Sequence, residues 1–195
     1  MRGALIALWL LVPFALAAYH YGPGQEGLVL DRADDLMREA AQLQRDGLNA
    51  AAVAKWDEAL QAIPAAEKGA VRRARLERAK AAMLAAGLPE ARLELQALLE
   101  EVQADPEVAG GGFEAEVRTA LASAQFYYTW LLKLEGKPRE AWEPEVEAAR
   151  QNYSLLAEQA PSPGLREERQ SDLEATVRLA RMTPEELQGL KIPDQ

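Results

Sequence analysis

The stretch Leu36–Pro64, LMREAAQLQRDGLNAAAVAKWDEALQAIP, limits what this chain can fold into more than any other part of it. Its second half places apolar residues at Ala52, Val53, Trp56, Ala59, Leu60 and Ile63, the spacing of one helix face. Gly47 interrupts the helical pattern before it, and Asn49 stands where a second helix would take its N-cap. Pro64 ends that helix, because a proline disfavours helical geometry in the residue before it. Two short helices joined by a tight turn cannot bury both of their faces alone. The chain must therefore supply further hairpins of the same kind to stack on this one.

The remainder supplies them. Alanine, leucine, glutamate and arginine dominate, all good helix formers, and no alternating stretch is long enough for a strand. The class is all-α. A length of 195 residues, 49% of them hydrophobic, allows one ordinary domain with a real core. A third helix is expected over about 67–86, carrying Leu76, Ala79, Met83 and Ala86 in register and ended by Gly87. Its basic run, Arg72, Arg73, Arg75, Arg78 and Lys80, reads as a solvent face paired to Glu90, Glu94, Glu100 and Glu101 of the next helix. Pro89 opens that fourth helix, whose inner stripe is Ala91, Leu95, Leu98, Leu99 and Val102. A fifth helix follows over about 113–135, with Val117, Ala120, Ala124, Tyr128 and Leu131 on one face. Gly136 and Pro138 repeat the turn punctuation, and Trp142, Val146, Ala149, Tyr153 and Leu156 mark a sixth helix over about 138–160, split or kinked at Pro144. A charged seventh helix, about 165–181, turns Leu173, Val177 and Ala180 inward and reads as a terminal cap. Thr183-Pro184-Glu185-Glu186 is an N-cap, a first-turn proline and an N3 glutamate, opening one last short helix.

Residues 1–18 read as an export segment, with Arg2 as the positive start, Ala4–Val12 as the apolar core and Ala15-Leu16-Ala17 as a small-x-small cleavage pattern. Cleavage and retention as a membrane tether are both open. The apolar run over 4–18 is 15 residues, or about 22 Å as a helix, against a hydrocarbon core of about 30 Å. Residues 19–30, rich in glycine, form a linker, and 31–195 form the helical domain. The expected location is the periplasm or cell envelope.

Several chemistries are disfavoured by what the residues do not offer. A net charge of −9, from 22 basic and 31 acidic residues, opposes a nucleic-acid surface. There is no cysteine, and the one histidine, His20, lies in the linker without acidic neighbours. Gly110-Gly111-Gly112 lacks the lysine-serine or lysine-threonine pair of a phosphate loop. The expectation is a protein that is not an enzyme and carries no metal or cofactor.

Ala52-x3-Trp56, Ala59, Pro64, Ala40 and Gly47 together resemble the tetratricopeptide repeat, a helix–turn–helix unit with A-x3-F and a final proline. Leu36 and Glu39 replace the tryptophan and leucine of that motif. Gly87 and Gly136 repeat the turn of Gly47 at longer spacing, and Ala141 is followed by Glu145 where the aromatic would fall. The resemblance covers about 33–180 and weakens towards the C-terminus. Tyr127–Glu158 also resembles exported bacterial proteins of this kind, a likeness that supplies no activity. The family implies an α-solenoid of about three hairpins with a C-terminal capping helix, and a non-catalytic scaffold that binds a protein or peptide partner. The alternative is a structural subunit of a membrane-associated complex, its groove filled by its own tail or by other subunits. The family's groove is lined by the first helix of each hairpin. Counting back from the turn glycines places Met37, Ala41 and Gln44, then Glu77 and Leu84, then Phe126, Trp130 and Lys133 on that side. Phe126 and Trp130, one turn apart, would form an aromatic ledge.

Overall fold

A computed structural model of the chain describes residues 23–188, and among these it is all-helical. The elements are α1 (Pro23–Arg45), α2 (Asn49–Ala62), α3 (Lys68–Leu84), α4 (Leu88–Ala104), α5 (Gly112–Leu134), α6 (Arg139–Glu158), α7 (Pro163–Arg181) and α8 (Pro184–Gln188). The export segment lies outside the described residues. Of the expected linker, the part from Pro23 onward is already α1, because a proline at the first helical position costs no hydrogen bond. Two compact units are distinguished, the first ending at Arg75 and the second beginning at Leu76, within α3.

In the first unit α1 packs against α2. Ala33 and Ala40 of α1 are buried, as are Ala52, Trp56 and Ala59 of α2, so small side chains let the two backbones approach around one large ring. The Trp56 Nε1–H donates to Gln44 Oε1 at 3.4 Å, which gives the buried indole a polar partner. Asn49 is the first residue of α2, not its cap. Leu48 holds the cap position without a side-chain bond, and Asn49 Oδ1 is buried with no partner. Ile63 is extended (φ −69°, ψ 126°), as a residue before proline should be.

In the second unit each helix from α4 to α7 packs on its sequence neighbour, and α8 returns to α5. With connections as short as 135–138, successive helices must run back antiparallel. α5 is the central element. It is buried on more than one side, through Val117, Ala120, Leu121, Ala122 and Ala124 and then Thr129, Trp130 and Leu132, while Leu131 of the expected face is exposed. On α7 the buried residues are Thr176 and Leu179, with Leu173 partly buried against Ala122, Tyr153 and Leu156. The expected face is thus rotated. Thr176 tolerates burial because its hydroxyl donates to Asp172 O at 2.8 Å, and Thr129 does the same to Gln125 O. α6 continues through Pro144, which forfeits a single backbone bond near the helix start.

The turns share one hydrogen-bond pattern. Leu48 N–H reaches Leu43 O at 2.9 Å, Gly87 N–H reaches Ala82 O at 2.8 Å, and Lys137 N–H reaches Leu132 O at 2.9 Å. The left-handed residue inside each is Gly47 (φ 73°), Ala86 (φ 64°) and Gly136 (φ 66°). The second turn is therefore centred on Ala86, one residue before the glycine used to count the groove. Gly87 serves a different need, since a Cβ there would come within 3.2 Å of Ala82 O. The register of α3 moves by one, so Leu76 and Met83 take the places counted for Glu77 and Leu84.

Candidate functional site

The C-terminal half of α5 brings Phe126, Trp130 and Lys133 onto one side, as their spacing requires. The Phe126 and Trp130 rings lie 6.3 Å apart, tilted by 48°. They do not form an open ledge. Trp130 is only 9% exposed and packs with Leu179 of α7 and Leu187 of α8, each 1% exposed, while Phe126 and Met182 close the edge of this cluster. Of the residues expected to hold a partner, Trp130 and Lys133 are covered by α7 and α8.

Lys133 is 5% exposed. Its ammonium donates to Leu179 O at 2.7 Å and Ala180 O at 3.2 Å, and sits 4.3 Å from the centre of the Trp142 ring. It thereby caps the C-terminal carbonyls of α7, where the helix dipole favours a cation. Burial lowers its pKa, and only the field of Glu186 opposes that shift. Glu186 does not reach it as an ion pair. Its carboxylate accepts from Thr183 N–H at 2.8 Å while Glu186 N–H donates to Thr183 Oγ1 at 3.3 Å, the reciprocal capping box expected from the sequence.

The other counted positions are spread over the two units. Met37, Ala41 and Gln44 are half-buried in the first, with Gln44 occupied by Trp56. In the second, Glu77 accepts from Lys80 at 3.0 Å and Leu84 is exposed. Lys80 also reaches Glu116 of α5 at 2.8 Å, so its acidic partners are on α3 and α5.

Three groupings were not legible as sites. Arg92 of α4 pairs with Glu145 of α6 at 3.2 Å and lies 5.2 Å from the centre of the Tyr128 ring of α5, tying three helices together. Burial raises the Glu145 carboxyl above its usual range, with Arg92 opposing. Along the α5–α6 seam, Arg118 joins Glu114 and donates to Asn152 Oδ1 at 3.1 Å, and Asn152 donates on to Gln125. The third is a cavity of about 410 Å³ beside Lys133 and Trp142, also lined by Lys137, Arg139, Glu143, Glu147, Arg181 and Met182. Spacing along one helix cannot announce it, because its walls come from α5, α6, α7, the start of α8 and the turns between them.

No protein-family model, curated protein or solved structure matches the chain. The tetratricopeptide resemblance rests on the residues quoted for it. Among the described residues no cluster of three histidine, cysteine or acidic side chains could hold a metal ion. Among them, too, no helix is long and apolar enough to cross a membrane.

Proposed function

We propose that this chain works by holding protein segments together: a non-catalytic, tetratricopeptide-like helical-repeat subunit of the cell envelope. The observation that carries the reading is Leu187 seated on Trp130, with Phe126 and Met182 at the edge. The α5 face receives one leucine from a short, otherwise polar helix, and the chain supplies that helix itself. Between an adaptor with an open groove and a structural subunit filled by its own tail, this contact favours the subunit. The stacked hairpins of the second unit and the capping position of α7 agree with a solenoid. Export and a tether or cleaved leader over 4–18 remain part of the proposal. The experiment is mass photometry on protein purified from its native host, separately from soluble and membrane fractions. An assembly of constant stoichiometry is expected. Monomer in both fractions overturns the subunit reading.

A further inference from the structure

The cavity beside Lys133 carries an inference independent of the subunit reading. Four cations line it, Lys133, Lys137, Arg139 and Arg181, against two carboxylates, Glu143 and Glu147. This is a local reversal of sign in a chain of net charge −9. Both carboxylates are already engaged. Glu143 is paired with Arg139, and Glu147 with Arg150 at 2.6 Å and Gln151 at 3.0 Å. Lys137 reaches only an exposed carboxylate, Glu135, at 3.5 Å. Arg181, on the last turn of α7, has no hydrogen bond or ion pair among the described residues. Lys133 is a buried cation whose bonds go to two carbonyls and a ring face. None of these bears a formal negative charge, and a buried charge without a counter-charge is costly. The rest of the wall is apolar: Trp142, Val146, Ala180, Met182 and Pro184. Glu186, whose field acts on Lys133, is turned back to Thr183.

We propose that this cavity binds a small organic anion, its carboxylate held by the Arg181 guanidinium in the field of Lys133 and Lys137, and its apolar body laid on Trp142 and Met182. A guanidinium takes a carboxylate through two parallel N–H donors, and it is the one unengaged fork in the cavity wall. The volume of about 410 Å³ is within the range of small-molecule sites. The cations of the wall raise the local concentration of anions.

The test uses the full chain and calorimetric titration with phenylacetate, with phenylacetamide as the neutral isostere and inorganic phosphate as an anion without an apolar body. The expected result is saturable one-to-one binding of phenylacetate. Phenylacetamide and phosphate should each bind at least about tenfold more weakly, the scale of one lost charged hydrogen bond. Arg181→Gln should weaken phenylacetate by about tenfold or more without altering melting, since Arg181 is exposed. Arg178→Gln, on the same helix but outside the cavity wall, should leave it unchanged. No saturation with phenylacetate, equal binding of phenylacetamide, equal binding of phosphate, or an Arg181→Gln variant that binds as the parent would each overturn the assignment.

Discussion

Truncating Leu187 to alanine tests whether α8 is held on α5 by one side chain. α8 is five residues long, far below the length at which a helix sustains itself, so its position depends on docking. Among the described residues Leu187 docks it, 1% exposed against Trp130 and Leu179, while the Thr183–Glu186 capping box closes its first turn. A leucine truncated inside a rigid core costs about 2.7–5 kcal/mol, because the cavity left behind adds to the lost transfer energy. α8, however, is joined to the core on one side only and can lift away instead of leaving a cavity. The cost is then closer to the burial energy of one leucine, about 1.5–3 kcal/mol, with a small addition for the uncovered Trp130 indole. About 2–3 kcal/mol is expected for Leu187→Ala. Leu179 is buried to the same degree but lies within α7, which cannot lift away, and Leu179→Ala should cost about 3–5 kcal/mol. Urea unfolding followed by circular dichroism gives both values from the shift in midpoint at unchanged slope. Hydrogen exchange at the Leu187 amide, bonded to Thr183 O at 3.1 Å, should accelerate in Leu187→Ala even where the rest of the chain stays protected. A Leu187→Ala variant within about 0.5 kcal/mol of the parent, beside a Leu179→Ala variant that loses the full amount, would refute the seated α8.

Trp56→Ala should cost about 3–5 kcal/mol, read as a lowered urea midpoint, since Trp56 is 4% exposed. Ala86→Gly should stabilise by up to about 1 kcal/mol in the same measurement, because an L side chain at φ 64° carries a left-handed penalty that glycine avoids. Burial pushes the Tyr153 phenol up to about 12, with Ser123 at 3.0 Å opposing. Its neutral form is favoured in the fold, so its contribution is complete below the ordinary value near 10 and is lost as pH rises from there towards 12. Absorbance titration at high pH should show a tyrosine titrating towards 12 that is missing in Tyr153→Phe, which also gives up about 1 kcal/mol with the Ser123 bond.

What the residues determined unaided is local or periodic. All-α class follows from composition and spacing, and the stop at Pro64 follows from backbone sterics. The Thr183–Glu186 box needs only four consecutive residues. The inner stripe of α4, from Ala91 to Val102, was legible because that helix buries one face alone. α5 was not, because helices on several sides bury it beyond any single stripe. Thr129 and Thr176 were overlooked as core because burial of a hydroxyl depends on a backbone acceptor within reach. Ala86 was passed over as the turn residue because glycine stands beside it, and only the dihedral angles show which of the two is left-handed. The candidate site divides the same way. Spacing put Phe126, Trp130 and Lys133 on one side of α5. Whether that side met solvent, and that Lys133 caps a helix 46 residues further along the chain, was decided when α7 and α8 folded back over it. A helical period fixes which residues share a face, but the exposure of that face depends on segments distant in sequence, whose docking no local period records.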